Sequence, residues 1–204
     1  MGADVGLREV RKQATRERVL GAARDLFDEV GYEAAAVRDI ARRAGVSVGS
    51  VFTSFGGKAD LLGAVMADRL ESLYAELDRL VPHLRGGVLD RLRSIMAVHY
   101  GFETRRLRLF VSYLCAAYGW AAQGAVTPLA GDARLRQMLE EVLRQGIERG
   151  EVRADADLHS FVDALLAAYA WNYRWACQPG TSTDDLIARM DRQIGALFNG
   201  VSAG

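Results

Sequence analysis

Cysteine, proline, histidine and lysine are all scarce in this sequence of 204 residues, which has 2 Cys, 3 Pro, 3 His and, among 26 basic side chains, only the lysines Lys12 and Lys58. Two cysteines cannot form the disulfide framework of a small secreted protein. Cys115 and Cys177 fall in apolar stretches, where packing is the expected role. His83, His99 and His159 stand far apart with no Cys or carboxylate at ligand spacing, so no metal site is expected. The chain also lacks a phosphate-cradling glycine loop and a nucleophile elbow, which leaves no cofactor and no enzyme to expect. The pair Glu140-Glu141 shares its segment with Arg134, Arg136 and Arg144 and reads as a solvated helix face. No apolar run approaches the roughly 18 residues of a membrane span, and Met1 to Arg11 holds no apolar signal core. The expectation is a cytoplasmic protein with no membrane partner. Neither sign of charge dominates either, with 26 basic residues against 26 acidic. At 50% hydrophobic residues that balance excludes a disordered chain. It also counts against a nucleic-acid binder, because domains that replace phosphate counterions usually carry a basic excess.

What the sequence does have is helical patterning. Proline is confined to Pro82, Pro128 and Pro179, and few runs alternate as a half-buried strand would, so the fold class is all-α. A first helix is expected from about Thr15 to Val30, with Leu20, Ala23, Leu26, Phe27 and Val30 on one face and Gly31 as its stop. A second, Val37 to Ala44, presents Val37, Ile40, Ala41 and Ala44 to the same core. After it Gly45 can reverse the chain and Ser47 can cap a short helix, Val48 to Phe55, that is apolar at Val51, Phe52 and Phe55. Further helices are expected near 58 to 81, 88 to 101, 104 to 122, 132 to 149, 156 to 177 and 182 to 199. The breaks between them fall at Gly86-Gly87, Gly124 to Asp132, Gly150 to Asp155 and Pro179-Gly180.

Helix, glycine-containing turn, short helix is the helix-turn-helix arrangement, whose second helix can enter a DNA major groove. The outward positions Ser50, Thr53 and Ser54 are small and polar, and Gly49 removes a side chain where backbones crowd. Arg16, Arg38, Arg42, Arg43 and Lys58 flank them with cations for phosphates.

Through the linked motifs Leu26-Phe27, Gly31-Tyr32, Asp39-Ile40-Ala41, Ala44-Gly45-Val46-Ser47, Gly49 and Phe55 with Lys58, the run from Thr15 to Leu62 resembles the DNA-binding domain of the TetR family of bacterial repressors. The resemblance implies a three-helix reading domain over residues 1–60. A long helix would join it to a larger helical ligand-binding and dimerisation domain over residues 61–204. It places Val48 to Phe55 in the major groove of double-stranded operator DNA. Arg38, Ser47, Val48, Gly49, Ser50, Phe52, Thr53 and Ser54 become the DNA-binding candidates, and Lys58 the phosphate anchor. An arginine could fork onto guanine there and Val48 touch a thymine methyl. Three positions depart from the family pattern. Ala35-Ala36 stands where a Thr or Ser usually caps the second helix, Phe52 where a tyrosine hydroxyl meets a phosphate, and Ser54 where a histidine is usual. The first loss costs about 1 kcal/mol. Together they imply few backbone contacts and weak salt dependence. A helical interaction adaptor without specific DNA binding is the alternative these losses leave open.

In the segment from Ala156 to Cys177, Leu158, Phe161, Val162, Leu165, Leu166 and Tyr169 form one stripe and Ala164, Ala168, Trp171 and Trp175 another, so more than one side must be buried. The next segment has one stripe, Leu186, Ile187, Met190, Ile194, Leu197 and Phe198. The resemblance implies a homodimer through these last two helices. Its interface candidates are Leu165, Ala168, Trp171, Trp175, Leu186, Met190, Ile194 and Leu197, and its two heads suit a roughly palindromic operator. It also implies a cavity for a small, largely apolar or aromatic effector among Tyr74, Met96, His99, Tyr100, Phe110, Tyr113, Tyr118 and Trp171. The neutral total hides a modest asymmetry: residues 1–58 hold 10 basic and 8 acidic side chains, the remainder 16 and 18.

Overall fold

The structure is a computed structural model that describes residues 2–118 and 133–203, with side chains from residue 8 to 116 and from 133 onward. Among the described residues the chain is helical throughout, with no named strand: α1 (Gly2–Val30), α2 (Val37–Ala44), α3 (Val48–Phe55), α4 (Lys58–Leu80), α5 (Val88–Glu103), α6 (Leu107–Tyr118), α7 (Ala133–Glu148), α8 (Leu158–Ala176) and α9 (Thr183–Phe198). Single 3-10 turns follow α4 and α5, and one isolated bridge pairs Val152 with Ser202. No helix among the described residues is long and apolar enough to cross a membrane. The expected break from Gly124 to Asp132 and the end of the expected 104 to 122 helix lie outside the described residues.

Two compact units divide the chain. The first comprises α1 to α3, α4 as far as Leu70 and α6 from Arg108; the second takes α4 from Glu71, α5 and α7 to α9. In the first, α2 and α3 have the bounds the sequence predicts because their ends are set locally. Gly45 is left-handed (φ 64°, ψ 40°), and the Val46 amide reaches back to the Ala41 carbonyl at 3.0 Å. Ser47 then accepts the Ser50 amide at 3.1 Å. Their shared core is Val19, Ala22, Ala23, Phe27, Ile40, Ala41, Ala44, Val51 and Phe55. Helix α1 starts 13 residues before the expected Thr15. No proline interrupts that stretch, and pairs such as Glu9 with Lys12 (3.7 Å) and Gln13 with Glu17 (3.0 Å) lie along one face. Its buried stripe runs through Val19, while Val30, at the last turn before Gly31, is exposed.

The missing cap on α2 is real: Ala36 is the N-cap residue, extended, with no side-chain hydrogen bond. Ala36→Ser should therefore stabilise the protein by about 1 kcal/mol. Thermal melting should show a rise of about 2–4 °C, and an unchanged melting temperature would count against this cap deficit.

In the second unit α5 packs on α7 and α9, and α8 on α7 and α9. The core holds Leu92, Ile95, Met96, Tyr100, Leu139, Leu143, Leu165, Leu166, Tyr169, Leu186, Met190 and Ile194. Asp157 caps α8 through the Ser160 amide, and Ser182 with Asp185 forms a capping box on α9. Arg134 of α7 reaches Glu71 and Asp78 of α4 and lies over the Tyr74 ring. At Gly146 an added Cβ would sit 2.3 Å from Val88 Cγ2 and 2.8 Å from Val152 Cγ2, so this glycine permits the close approach of α7 to its neighbours. Cys115 and Cys177, expected to pack, are both exposed. Cys115 follows the buried Tyr113-Leu114 on the outward phase of α6, and Cys177 lies past the last buried turn of α8.

Candidate functional site

Helix α3 turns Val51 and Phe55 into the core and leaves its opposite side open. Val48 is 41% and Phe52 48% exposed, one turn apart. Exposed apolar side chains so placed form a contact surface next to the small hydroxyls of Ser47, Ser50 and Thr53. Those hydroxyls are held: Ser47 and Ser50 share an Oγ···Oγ hydrogen bond of 2.8 Å, and Thr53 Oγ1 donates to the Gly49 carbonyl at 2.9 Å. Side chains fixed in this way need little further ordering to meet a base edge.

The cations are largely engaged. Arg16 donates to the Ser54 carbonyl (2.8 Å) and lies over the Phe55 ring at 4.1 Å, so it clamps the end of α3. Arg43 makes a two-pronged pair with Glu29 (2.7 and 2.6 Å), which holds the Glu29 carboxyl below its ordinary pKa and raises that of Arg43. Arg42 pairs with Asp39 at 2.9 Å. Lys58 donates to the Glu33 carbonyl at 3.0 Å and lies 4.4 Å over the Tyr32 ring, tying the start of α4 to the α1–α2 loop. Arg38 is exposed and has no ion-pair partner among the described residues.

Of α1, sequence reasoning named Arg16 but not the earlier residues on this surface. An open cleft of about 440 Å³ is lined by Arg11, Lys12 and Thr15 of α1 together with Ser47, Gly49, Ser50, Thr53 and Ser54. One wall carries cations and the other the small polar side chains of α3. The signal was present in the basic run Arg8, Arg11, Lys12, but it acquires meaning only once α1 extends past Thr15.

Of the effector candidates, Tyr74, Met96, His99 and Tyr100 are buried in the second unit, and Phe110 and Tyr113 are buried in the first with their rings 6.2 Å apart. The side chain of Tyr118 lies outside the described residues. Trp171 is 58% exposed on the outer side of α8 and so does not belong to the buried aromatic group of its own chain. That group instead contains Tyr169 and Tyr173, with Asn172 between them. Of the dimer candidates, Leu165, Leu186, Met190 and Ile194 are consumed by the chain's own core, whereas Trp171 and Trp175 face outward, Ala168 and Leu197 half so. The reason is the packing of α9 on α5 as well as α8, which uses the single apolar stripe of α9 internally.

A helix-turn-helix with a capped, exposed second helix defines the first unit as a DNA-binding module. Residues 19–65 match the family model of bacterial regulatory proteins of the tetR family, and residues 85–198 match that of the tetracyclin repressor-like C-terminal domain. The HTH-type transcriptional repressor KstR2 of Mycobacterium tuberculosis is 29% identical over 85% of this chain and 87% of its own. The solved structure of that ketosteroid transcriptional regulator aligns with a TM-score of 0.61 at 25% identity, over 93% of this chain and 95% of the other. The structure of Thermus thermophilus FadR, a repressor in complex with lauroyl-CoA, aligns with a TM-score of 0.72 at 26% identity, over 91% and 94%. The chain belongs to the TetR family: it is a DNA-binding transcriptional regulator and not an enzyme.

Proposed function

We propose that this protein is a ligand-responsive repressor, acting in the cytoplasm as a homodimer on a roughly palindromic operator and released from it by a small, largely apolar effector. Residues 1–60 read DNA, and residues 61–204 bind the effector and pair two subunits. The observation that carries the reading is the open face of α3, with Val48, Gly49, Ser50, Phe52 and Thr53 held outward beside the cleft that Arg11 and Lys12 line. Arg38 and the Ser47, Val48, Ser50 and Thr53 side chains contact base edges. Gly49 admits the backbone, and Phe52, Ser54 and Lys58 lie along the strand. The apolar effector is supported by the buried aromatic group of the second unit and by the lauroyl-CoA held by FadR. Occupancy favours a conformer whose two heads no longer match the operator. The test is a gel shift with the DNA upstream of its own gene: one shifted species, abolished by lauroyl-CoA or by an apolar or aromatic compound, is expected. Absence of any shift would defeat the reading.

The cleft adds residues to the interface. Arg11→Ala with Lys12→Ala should weaken operator and random DNA alike and flatten the slope of log K against log salt by roughly 0.9 per lost phosphate contact. An unchanged slope in a fluorescence-anisotropy titration would remove α1 from the interface.

A further inference from the structure

In the second unit a cluster of polar side chains is withdrawn from solvent. Tyr169 and Tyr173 of α8 share a hydroxyl–hydroxyl hydrogen bond of 3.0 Å, and the Tyr100 hydroxyl of α5 donates to the Tyr169 carbonyl at 3.3 Å. Asn172 donates to Tyr100 Oη (3.1 Å) and Gln193 Oε1 (2.6 Å), while its carbonyl accepts from Arg189 Nε (3.1 Å) and Gln193 Nε2 (3.2 Å). Asn172 is thus fully served. His99 is not. Its ring stands edge-on to Tyr74 and Tyr169, with centroids 6.0 and 5.7 Å away, and neither Nδ1 nor Nε2 has a hydrogen-bond partner among the described residues. The residue is fully buried.

A neutral imidazole has one donor and one acceptor, and a buried polar group left unmet costs about 1–3 kcal/mol. A phenylalanine would fill the same space between the two tyrosines without that cost, so packing alone gives no reason for a histidine here. We propose that His99 is a ligand-binding residue, which receives an uncharged hydroxyl or keto group carried by an otherwise apolar effector. The proposal rests on the effector reading above and adds the chemistry of the ligand.

The surroundings decide against an anion. Burial pushes the His99 pKa down to about 3, so the ring brings no positive charge. Glu103, one turn further along α5, is also buried, and its charge helps to raise both tyrosines on α8 well above the ordinary range, after burial itself. Arg189 of α9 brings a cation to this cluster, where it is held by the Asn172 carbonyl and lies over Trp175 at 4.4 Å. A carboxylate or phosphate brought to His99 would find a neutral ring as its partner. A hydroxyl or carbonyl suits one of the two nitrogens and leaves the apolar walls from Tyr74 and Tyr169 to the rest of the ligand.

The test uses the full chain and three matched probes, 2-naphthol, naphthalene and 2-naphthoate, read by thermal shift and calorimetry. In the wild type 2-naphthol should bind at least tenfold tighter than either of the others. His99→Phe should cut that advantage below about threefold while leaving naphthalene unchanged, and His99→Gln should restore part of it. Without ligand, His99→Phe should melt about 2–4 °C higher, because an unmet polar group is gone. His99→Leu carries the same comparison should the phenylalanine variant not fold. A preference for 2-naphthol that survives both substitutions overturns the proposal and points to a buried water serving His99 only. It is equally overturned by tightest binding of 2-naphthoate, or by no binding of 2-naphthol. Release of the operator by lauroyl-CoA in those cases would leave the effector reading standing, whereas failure of every compound to bind or to release DNA removes both.

Discussion

Between pH 6.5 and 4.5 the protein should lose about 1.4 kcal/mol of stability per pH unit, and His99→Phe should remove most of that loss. In the folded chain burial lowers the His99 pKa from 6.5 to about 3. The unfolded chain takes up a proton on this residue as the pH falls below 6.5, and the folded chain does not until near 3. More protons are bound by the unfolded state throughout that window, so stability is complete well above 6.5 and declines on acidification, by about 4 kcal/mol at pH 3. Other groups act elsewhere. The exposed carboxyls of Glu29, Glu141, Asp157 and Asp185 are held below their ordinary values by hydrogen bonds from Arg43, Gln145 and the serines at the two caps, and so matter only below about pH 4.5. Tyr169, which faces His99 from α8, and Tyr173 beside it are pushed up and away from the window by burial. Glu103 is common to wild type and variant, so the difference between the two isolates the imidazole. Urea melts at half-unit intervals from pH 4.5 to 7.5 supply the measurement, and parallel stability curves for wild type and variant would refute the assignment.

How much of this was legible beforehand depends on the range of the forces involved. The bounds of α2 and α3 could be read because Gly45 and Ser47 act within a few residues of themselves. The state of the cations could not. Arg16 meets a carbonyl 38 positions away, Lys58 one 25 away, and Arg43 pairs with Glu29 across 14, contacts that exist only once α1 lies on α2 and α3. The consequence sharpens the meaning of the neutral total charge. Arg16, Arg24, Arg43 and Lys58 are tied across the reading unit, and Lys12 and Arg42 to carboxylates on their own helices, so few of its ten cations stand ready for DNA without exchanging a partner, Arg8, Arg11 and Arg38 among them, which supports a shallow salt dependence. In α8 the reverse happened. Tryptophan ranks as apolar and asparagine as polar in any pattern scan, yet Trp171 and Trp175 face outward while Asn172 is buried, because Tyr100, Gln193 and Arg189 from two other helices satisfy its amide.

Those outward tryptophans carry the other large effect. Ala164, Ala168, Trp171 and Trp175 recur at i, i+4, i+7 and i+11, a straight stripe along α8 that the chain's own core does not cover. Arg174 lies over the Trp171 ring at 4.6 Å and Arg189 over Trp175 at 4.4 Å, which fixes both indoles as flat, pre-ordered surfaces. With Leu165, Leu186, Met190 and Ile194 taken up internally, this stripe is what a second copy would meet. Two-fold symmetry would bring four tryptophans to one interface. Interface tryptophans of this kind are each worth about 2 kcal/mol or more, and a buried unpaired carboxylate adds a further penalty. Trp171→Glu with Trp175→Glu should therefore give a monomer at micromolar concentration with its helical content little changed, since neither side chain belongs to the core, and with a lower melting temperature, since the partner that stabilises the folded state is lost. Loss of the partner also separates the two reading heads, and with them a roughly 10²–10⁴-fold gain from joint binding, so operator affinity should fall by that factor while half-site binding persists. Light scattering together with a gel shift measures both. A variant that stays dimeric, or a monomer that binds the full operator as tightly as the wild type, would show that the subunits pair through another face.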